Sequence, residues 1–168
     1  MSSHDEGHVE RVMKLAEFIA RREGADLEVV LTAARLHDIA RDAENHAVES
    51  AKKAREILKG RDYKFVSSVV HAIEAHSFSS GIEPRTLEAK VLSDADKLDA
   101  MGAIGVARAF LYSGERGRSI HDTLKHFEEK LLRLKDQLYT DTAREIAEDR
   151  HRFLELFYAR IKRELDEF

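Results

Sequence analysis

The stretch Leu27–Arg41, LEVVLTAARLHDIAR, decides how the chain is read. Leu27, Val30, Leu31 and Ala34 recur at three- and four-residue spacing, which is the stripe of a helix with one buried face. Asp26, just ahead of them, suits the N-cap. His37 follows Val30 by seven residues and Ala34 by three, so the same stripe carries an imidazole inward. Asp38 comes next, about 100° further round the helix. Inward polar groups in an apolar core require partners. The dipeptide alone carries little, because His-Asp recurs at 4–5 and 121–122.

Outward from this stretch the same period continues. Upstream, Val9, Val12, Ala16 and Ile19 mark a helix closed by Gly24, with His8 at the upper edge of its apolar face. Downstream, Ala47, Ala51, Ala54 and Leu58 form a third stripe, closed by Gly60. Asp62 caps a fourth, with Phe65, Val66, Val69, Val70 and Ile73. His76, three residues after Ile73, points inward at the end of that helix. Ser77–Arg85 (SFSSGIEPR) holds the single proline and reads as a loop. Further helices are predicted over about 86–99, 100–112, 119–138 and 140–166, with a loop at Ser113–Arg118. No strand-like alternation, repeat or linker occurs. The reading is one all-α domain over residues 1–168, built from about six to nine helices.

Composition narrows the function. In 168 residues, 43% are hydrophobic, enough for a core. No apolar run reaches membrane-spanning length, and the polar start has no secretory h-region, so a cytoplasmic protein is expected. The absence of cysteine excludes disulfides, thiolate metal sites and a Cys nucleophile. A net charge of −4 gives no nucleic-acid footprint. A phosphate-cradling glycine loop and a G-x-S-x-G elbow are both missing. Nine histidines remain, and they point to metal or acid–base chemistry.

The order of polar residues on successive helices resembles the HD superfamily of metal-dependent phosphohydrolases. The motifs that carry the resemblance are HVERV (His8), AARLHDIAR (His37 and Asp38), HAIEAHSFS (His76) and DADKLDAMGAIGVAR (Asp96). They cover residues 4 to about 110, with the helices from about 119 to 168 expected to pack on that part. The resemblance implies a helical HD-domain bundle whose His8, His37, Asp38 and Asp96 bind a divalent cation. His46 and His76 match the two further ligands of dinuclear members, which implies two metals per chain with Asp38 between them. The same likeness makes Asp38 and Asp96 the catalytic carboxylates. Nitrogen and oxygen donors suit Mn, Fe, Co, Ni or Zn, and Mg less well. Arg41 and Lys97 offer charge to a substrate phosphate. Asp94 and Asp99, on neighbouring faces, are candidates to orient the ligand histidines.

The activity implied is hydrolysis of a nucleotide or other small phosphate ester through a metal-activated water. Two members of the superfamily fit less well. Arg41, where an acidic residue would precede Asp42, disfavours the alarmone hydrolases, and the lack of Gly-Tyr-Pro after His76 disfavours the cyclic di-GMP branch. Two alternatives stay open: a dinuclear-iron oxygenase on the same ligand frame, and a non-catalytic helical domain that binds a nucleotide. The closing helix carries Phe153, Leu154, Phe157, Ile161 and Leu165, an apolar face that either packs on the bundle or serves a homodimer.

Overall fold

The computed structural model describes residues 7–167. The His4–Asp5 dipeptide lies outside them. Among the described residues there are eight α-helices, two 3₁₀ segments and no strand. The chain falls into two compact units, Glu6–Asp96 and Lys97–Phe168.

The first unit holds α1 (His8–Glu23), α2 (Leu27–Leu36), α3 (His46–Ile57), α4 (Tyr63–Ala75) and most of α5 (Leu87–Asp99). Helix α1 stops at Gly24, whose φ of 77° is left-handed and suits glycine. Asp26 caps α2 by accepting from the Val29 N–H at 3.2 Å. Its own backbone N–H donates to Glu88 Oε1 at 2.9 Å, which ties the first turn of α5 to the start of α2. Asp62 caps α4 in the same manner, accepting from the Phe65 N–H at 3.0 Å. Helix α1 packs on α2, α2 on α4, and α4 on α3. Val12, Ile19, Val30, Val69, Ile73 and Leu92 are fully buried. Each such side chain contributes about 1.5–3 kcal/mol by leaving water.

The loop after α4 contains a 3₁₀ turn, Phe78–Ser80, in which Ser80 Oγ donates to the Ser77 carbonyl at 2.8 Å. Further on, the Arg85 N–H donates to His71 Nε2 at 3.0 Å. His71 is therefore engaged with this loop. Burial, then the charge of Arg85, pushes its pKa below the ordinary 6.5, with Glu74 opposing.

The second unit contains α6 (Gly102–Glu115), α7 (Ile120–Glu129) and α8 (Asp141–Asp166). Two expected boundaries move. Helix α6 runs three residues past 112, and the chain turns at Gly117, where φ is 63°. The single helix expected over 119–138 breaks at Lys130 and continues as a 3₁₀ segment, Leu131–Gln137. Residues three apart share a face in that geometry, so Leu131 and Leu134 are both buried. The His121–Asp122 dipeptide is local chemistry: Asp122 and Ser119 form a reciprocal capping box on α7. Phe110, Phe127 and Phe157 form an aromatic cluster with ring centroids 5.8–6.0 Å apart. Arg116 and Arg118 lie over the Tyr112 ring at 3.6 and 5.5 Å.

Candidate metal centre

The six polar residues picked from the sequence lie together in the first unit, each held by its own element. His8 is the first residue of α1, and it is buried. His37 and His76 occupy equivalent places, as the C-cap residues of α2 and α4. His37 Nδ1–H donates to the Ala34 carbonyl at 2.7 Å, and His76 Nδ1–H donates to the Ile73 carbonyl at 2.6 Å. The last carbonyls of a helix lack the usual backbone donor four residues on, and each imidazole bonds one of them; the Ile73 carbonyl also accepts the His76 backbone N–H at 3.4 Å. The bond also sets the tautomer: the proton sits on Nδ1 and Nε2 keeps its lone pair. Asp38 is the next residue after His37, in the turn that leads to α3. His46 opens α3, and Asp96 lies in the last turns of α5.

The donor atoms converge. His8 Nε2 and His37 Nε2 are 3.3 Å apart. Asp96 Oδ1 is 3.4 Å from His8 Nε2 and 3.9 Å from His37 Nε2. One ligand atom from each of His8, His37 and Asp38 lies within 4.8 Å of the other two. His37 and His76 meet edge to face at 5.0 Å between centroids, and His76 and His46 do so at 5.4 Å. The imidazoles thus meet in succession, His8 with His37, His37 with His76 and His76 with His46, with Asp38 and Asp96 beside His8 and His37.

These residues fit a divalent cation. With metal–nitrogen bonds of about 2.1 Å, neighbouring ligand atoms stand about 3.0 Å apart in an octahedron and about 3.4 Å apart in a tetrahedron. The observed 3.3 and 3.4 Å match those separations. The C-terminal ends of α2 and α4, which His37 and His76 cap, add the negative end of two helix dipoles, which also favours positive charge.

Electrostatics points the same way. Burial lowers the pKa of His76 from 6.5 to about 4, against the pull of Asp96. Burial also lowers that of His37. Both are neutral at pH 7 and offer lone pairs. Burial works against the Asp96 carboxylate. The hydrogen bond from His8, and the positive charge that His76, His37 and His8 would carry when protonated at lower pH, outweigh it and hold the acid below the usual carboxylate range. Neutral imidazoles beside a persistent carboxylate form the donor set of a metal site.

The remaining candidates have specific partners. Arg41 Nη1 is 3.2 Å from Asp38 Oδ2. Lys97 Nζ donates to the Gln137 carbonyl at 2.9 Å and lies 4.6 Å from the Tyr139 ring centroid. Asp99 pairs with Arg108, at 2.9 Å from Nη1 to Oδ2. The backbone carbonyls of Ala34 and Ile73 orient His37 and His76. Sequence reasoning missed these because a carbonyl has no residue signature. The available signal was positional: a histidine just past the last apolar residue of a helix is placed to cap it.

The chain is similar to known proteins along most of its length. The HD domain family matches residues 6–101, more than half of the chain. The uncharacterised protein YpgQ of Bacillus subtilis (strain 168) is 39% identical over 175 residues, covering 98% of this chain and 85% of the relative. A crystal structure of Bacillus subtilis YpgQ in complex with ADP superposes with a TM-score of 0.79 at 37% identity, covering 97% of this chain and 90% of that one. An HD-superfamily hydrolase from Bacillus thuringiensis superposes with a TM-score of 0.75 at 34% identity, over 97% of this chain and 87% of that one. The matched segment includes the helices that carry the six clustered residues, and the likeness extends along nearly the whole sequence: the chain belongs to the HD domain family.

Proposed function

We propose that the chain is a metal-dependent phosphohydrolase acting on a nucleotide or another small phosphate ester. The observation that carries this reading is the convergence of His8 Nε2, His37 Nε2 and the Asp38 and Asp96 carboxylates at coordination distances. His8, His37, Asp38 and Asp96 hold one cation in this reading. His46 and His76 would help to hold a second, with Asp38 as a ligand the two could share. Mn, Fe, Co, Ni or Zn suits this nitrogen-rich set. The chemistry a divalent cation supplies when bound is activation of water and neutralisation of phosphoryl charge.

The residues of the chain have separable tasks here. The Ala34 and Ile73 carbonyls keep His37 and His76 in the lone-pair orientation. Asp96, a weak base in these surroundings, supplies fixed negative charge rather than accepting a proton. Arg41, one of the two cations expected at the substrate, lies beside a site carboxylate. The ADP complex of YpgQ supports a nucleotide as the substrate class. Helix α8 leaves Phe153, Leu156 and Leu165 exposed, and this reading places a homodimer contact there. No helix among the described residues is long and apolar enough to cross a membrane.

The test is metal content by elemental analysis together with phosphatase assays on wild type and Asp38→Ala. The wild type is expected to carry about two metals per chain, and Asp38→Ala to lose both metal and turnover. Wild-type turnover at wild-type metal content in Asp38→Ala overturns the assignment. Iron with oxygen uptake, and no phosphate release, redirects the site to oxygenase chemistry.

A further inference from the structure

Arg41 holds a position that the phosphohydrolase reading leaves unexplained. Its guanidinium lies 3.2 Å from the carboxylate that faces His8 and His37. The Asp38 side chain is 10% exposed and that of Arg41 is 31% exposed, so the pair sits at the boundary between the buried cluster and solvent. Its backbone is anchored. The Ala40 N–H donates to Ser50 Oγ at 3.0 Å, and Ser50 is fully buried on α3. The Ala43 N–H closes a turn on the Ala40 carbonyl at 3.0 Å. These bonds tether the backbone beside Arg41, whose long side chain has the greater freedom to move.

A guanidinium and a divalent cation on one carboxylate compete. The ion binds carboxylate oxygen directly at about 2.0–2.2 Å. Arginine reaches the same carboxylate only as an ion pair, at 3.2 Å, and like charges repel. A guanidinium released toward solvent presents a flat fork of N–H donors, which matches phosphate geometry.

From this geometry we infer that Arg41 is a placeholder cation. It holds Asp38 in its ligating position before metal arrives, and it is released by metal to bind the phosphate of the substrate. Metal occupancy and anion affinity are then coupled through one side chain. The inference rests on the metal-dependent reading above.

The experiment is calorimetric titration of chelator-treated full-length protein with Mn²⁺, followed by titration of the Mn²⁺-loaded protein with inorganic phosphate. Wild type, Arg41→Met and Arg41→Lys are compared. Arg35→Met, an exposed arginine on α2, measures the general effect of removing a charge. Arg41→Met is expected to bind Mn²⁺ more tightly by up to about fivefold, the scale of a solvent-accessible ion pair. Its phosphate affinity when loaded should fall about tenfold or more, the scale of a charged hydrogen bond. Arg41→Lys should lie between wild type and Arg41→Met on both, and Arg35→Met should move neither beyond about twofold.

Weaker Mn²⁺ binding in Arg41→Met overturns the inference, because Arg41 would then support the site rather than compete for it. Tighter Mn²⁺ binding with unchanged phosphate affinity overturns the release onto phosphate. Equal shifts in Arg35→Met and Arg41→Met reduce the effect to net charge and overturn it as well. Failure of the wild type to take up Mn²⁺ overturns this inference together with the metal reading. Uptake without any change in Arg41→Met overturns this inference alone.

Discussion

His37 and His76 use one local device. Each closes its helix by donating Nδ1–H to the carbonyl three residues back, and so each turns Nε2 toward the cluster. A second-layer orienter of this kind needs no additional side chain. His71 does something different on the same helix as His76. Its Nε2 accepts from the Arg85 N–H, which requires the neutral ring. Because burial and Arg85 lower its pKa in the folded state, the unfolded chain binds the proton more readily. The stabilising contribution is therefore complete above the ordinary value of 6.5 and is lost as pH falls below it. The protection factor of the Arg85 amide in hydrogen exchange is expected to drop between about pH 7.5 and about pH 5.5. His71→Phe should show the low value at both. Equal protection at the two pH values in wild type would show that the ring does not hold this amide.

At the scale of elements, the helix starts and stops are set by short polar and glycine signals, and most were readable. Asp26, Asp62 and Ser119 cap α2, α4 and α7 through side-chain oxygens. Gly105 was not readable as special. It lies within the first turn of α6, and a Cβ built there stands 2.2 Å from the Ala100 carbonyl oxygen. Glycine inside a helix is ordinarily about 1 kcal/mol worse than alanine. Here the sign is expected to reverse. Gly105→Ala should destabilise the chain by about 1–3 kcal/mol in urea unfolding, since backbone must move to admit the methyl group. A gain in stability would show that the α5–α6 junction relaxes without penalty. The break of the expected 119–138 helix at Lys130 belongs to the same scale. A continuous α-helix satisfies local propensity there, but the 3₁₀ segment places Leu131 and Leu134 inside.

For the whole molecule, the buried cluster is a burden on folding that a bound cation would relieve. His8, His37 and His76 are 4%, 1% and 2% exposed, in a unit whose core is mostly apolar. Imidazoles and carboxylates in such a place destabilise unless partnered. A ligand that binds only the folded chain adds about 2.7 kcal/mol of stability at a hundred times its Kd. Mn²⁺ is therefore expected to raise the Tm by several degrees, with reversal by a chelator, and Asp38→Ala should show no such shift. An equal rise in Asp38→Ala would place the bound ion elsewhere.

The sequence alone determined the all-α class, because one dominant period of three to four residues leaves a chain few other ways to bury its apolar groups. It also determined that His37 and His76 turn inward, because helical spacing links His37 to Val30 and His76 to Val69; it did not determine the carboxylates, since Asp94 and Asp99 are buried and Asp96 is 30% exposed. Only the tertiary structure decided that these groups share one place. The separation from His8 to Asp96 is closed by α1 packing on α2, α2 on α4 and α4 on α3, together with the bond from Asp26 to Glu88. It alone decided that Ala34 and Ile73 orient the rings, and that Arg41 rests on Asp38. Those relations depend on distances of a few ångströms between atoms, and periodicity along a chain carries only direction.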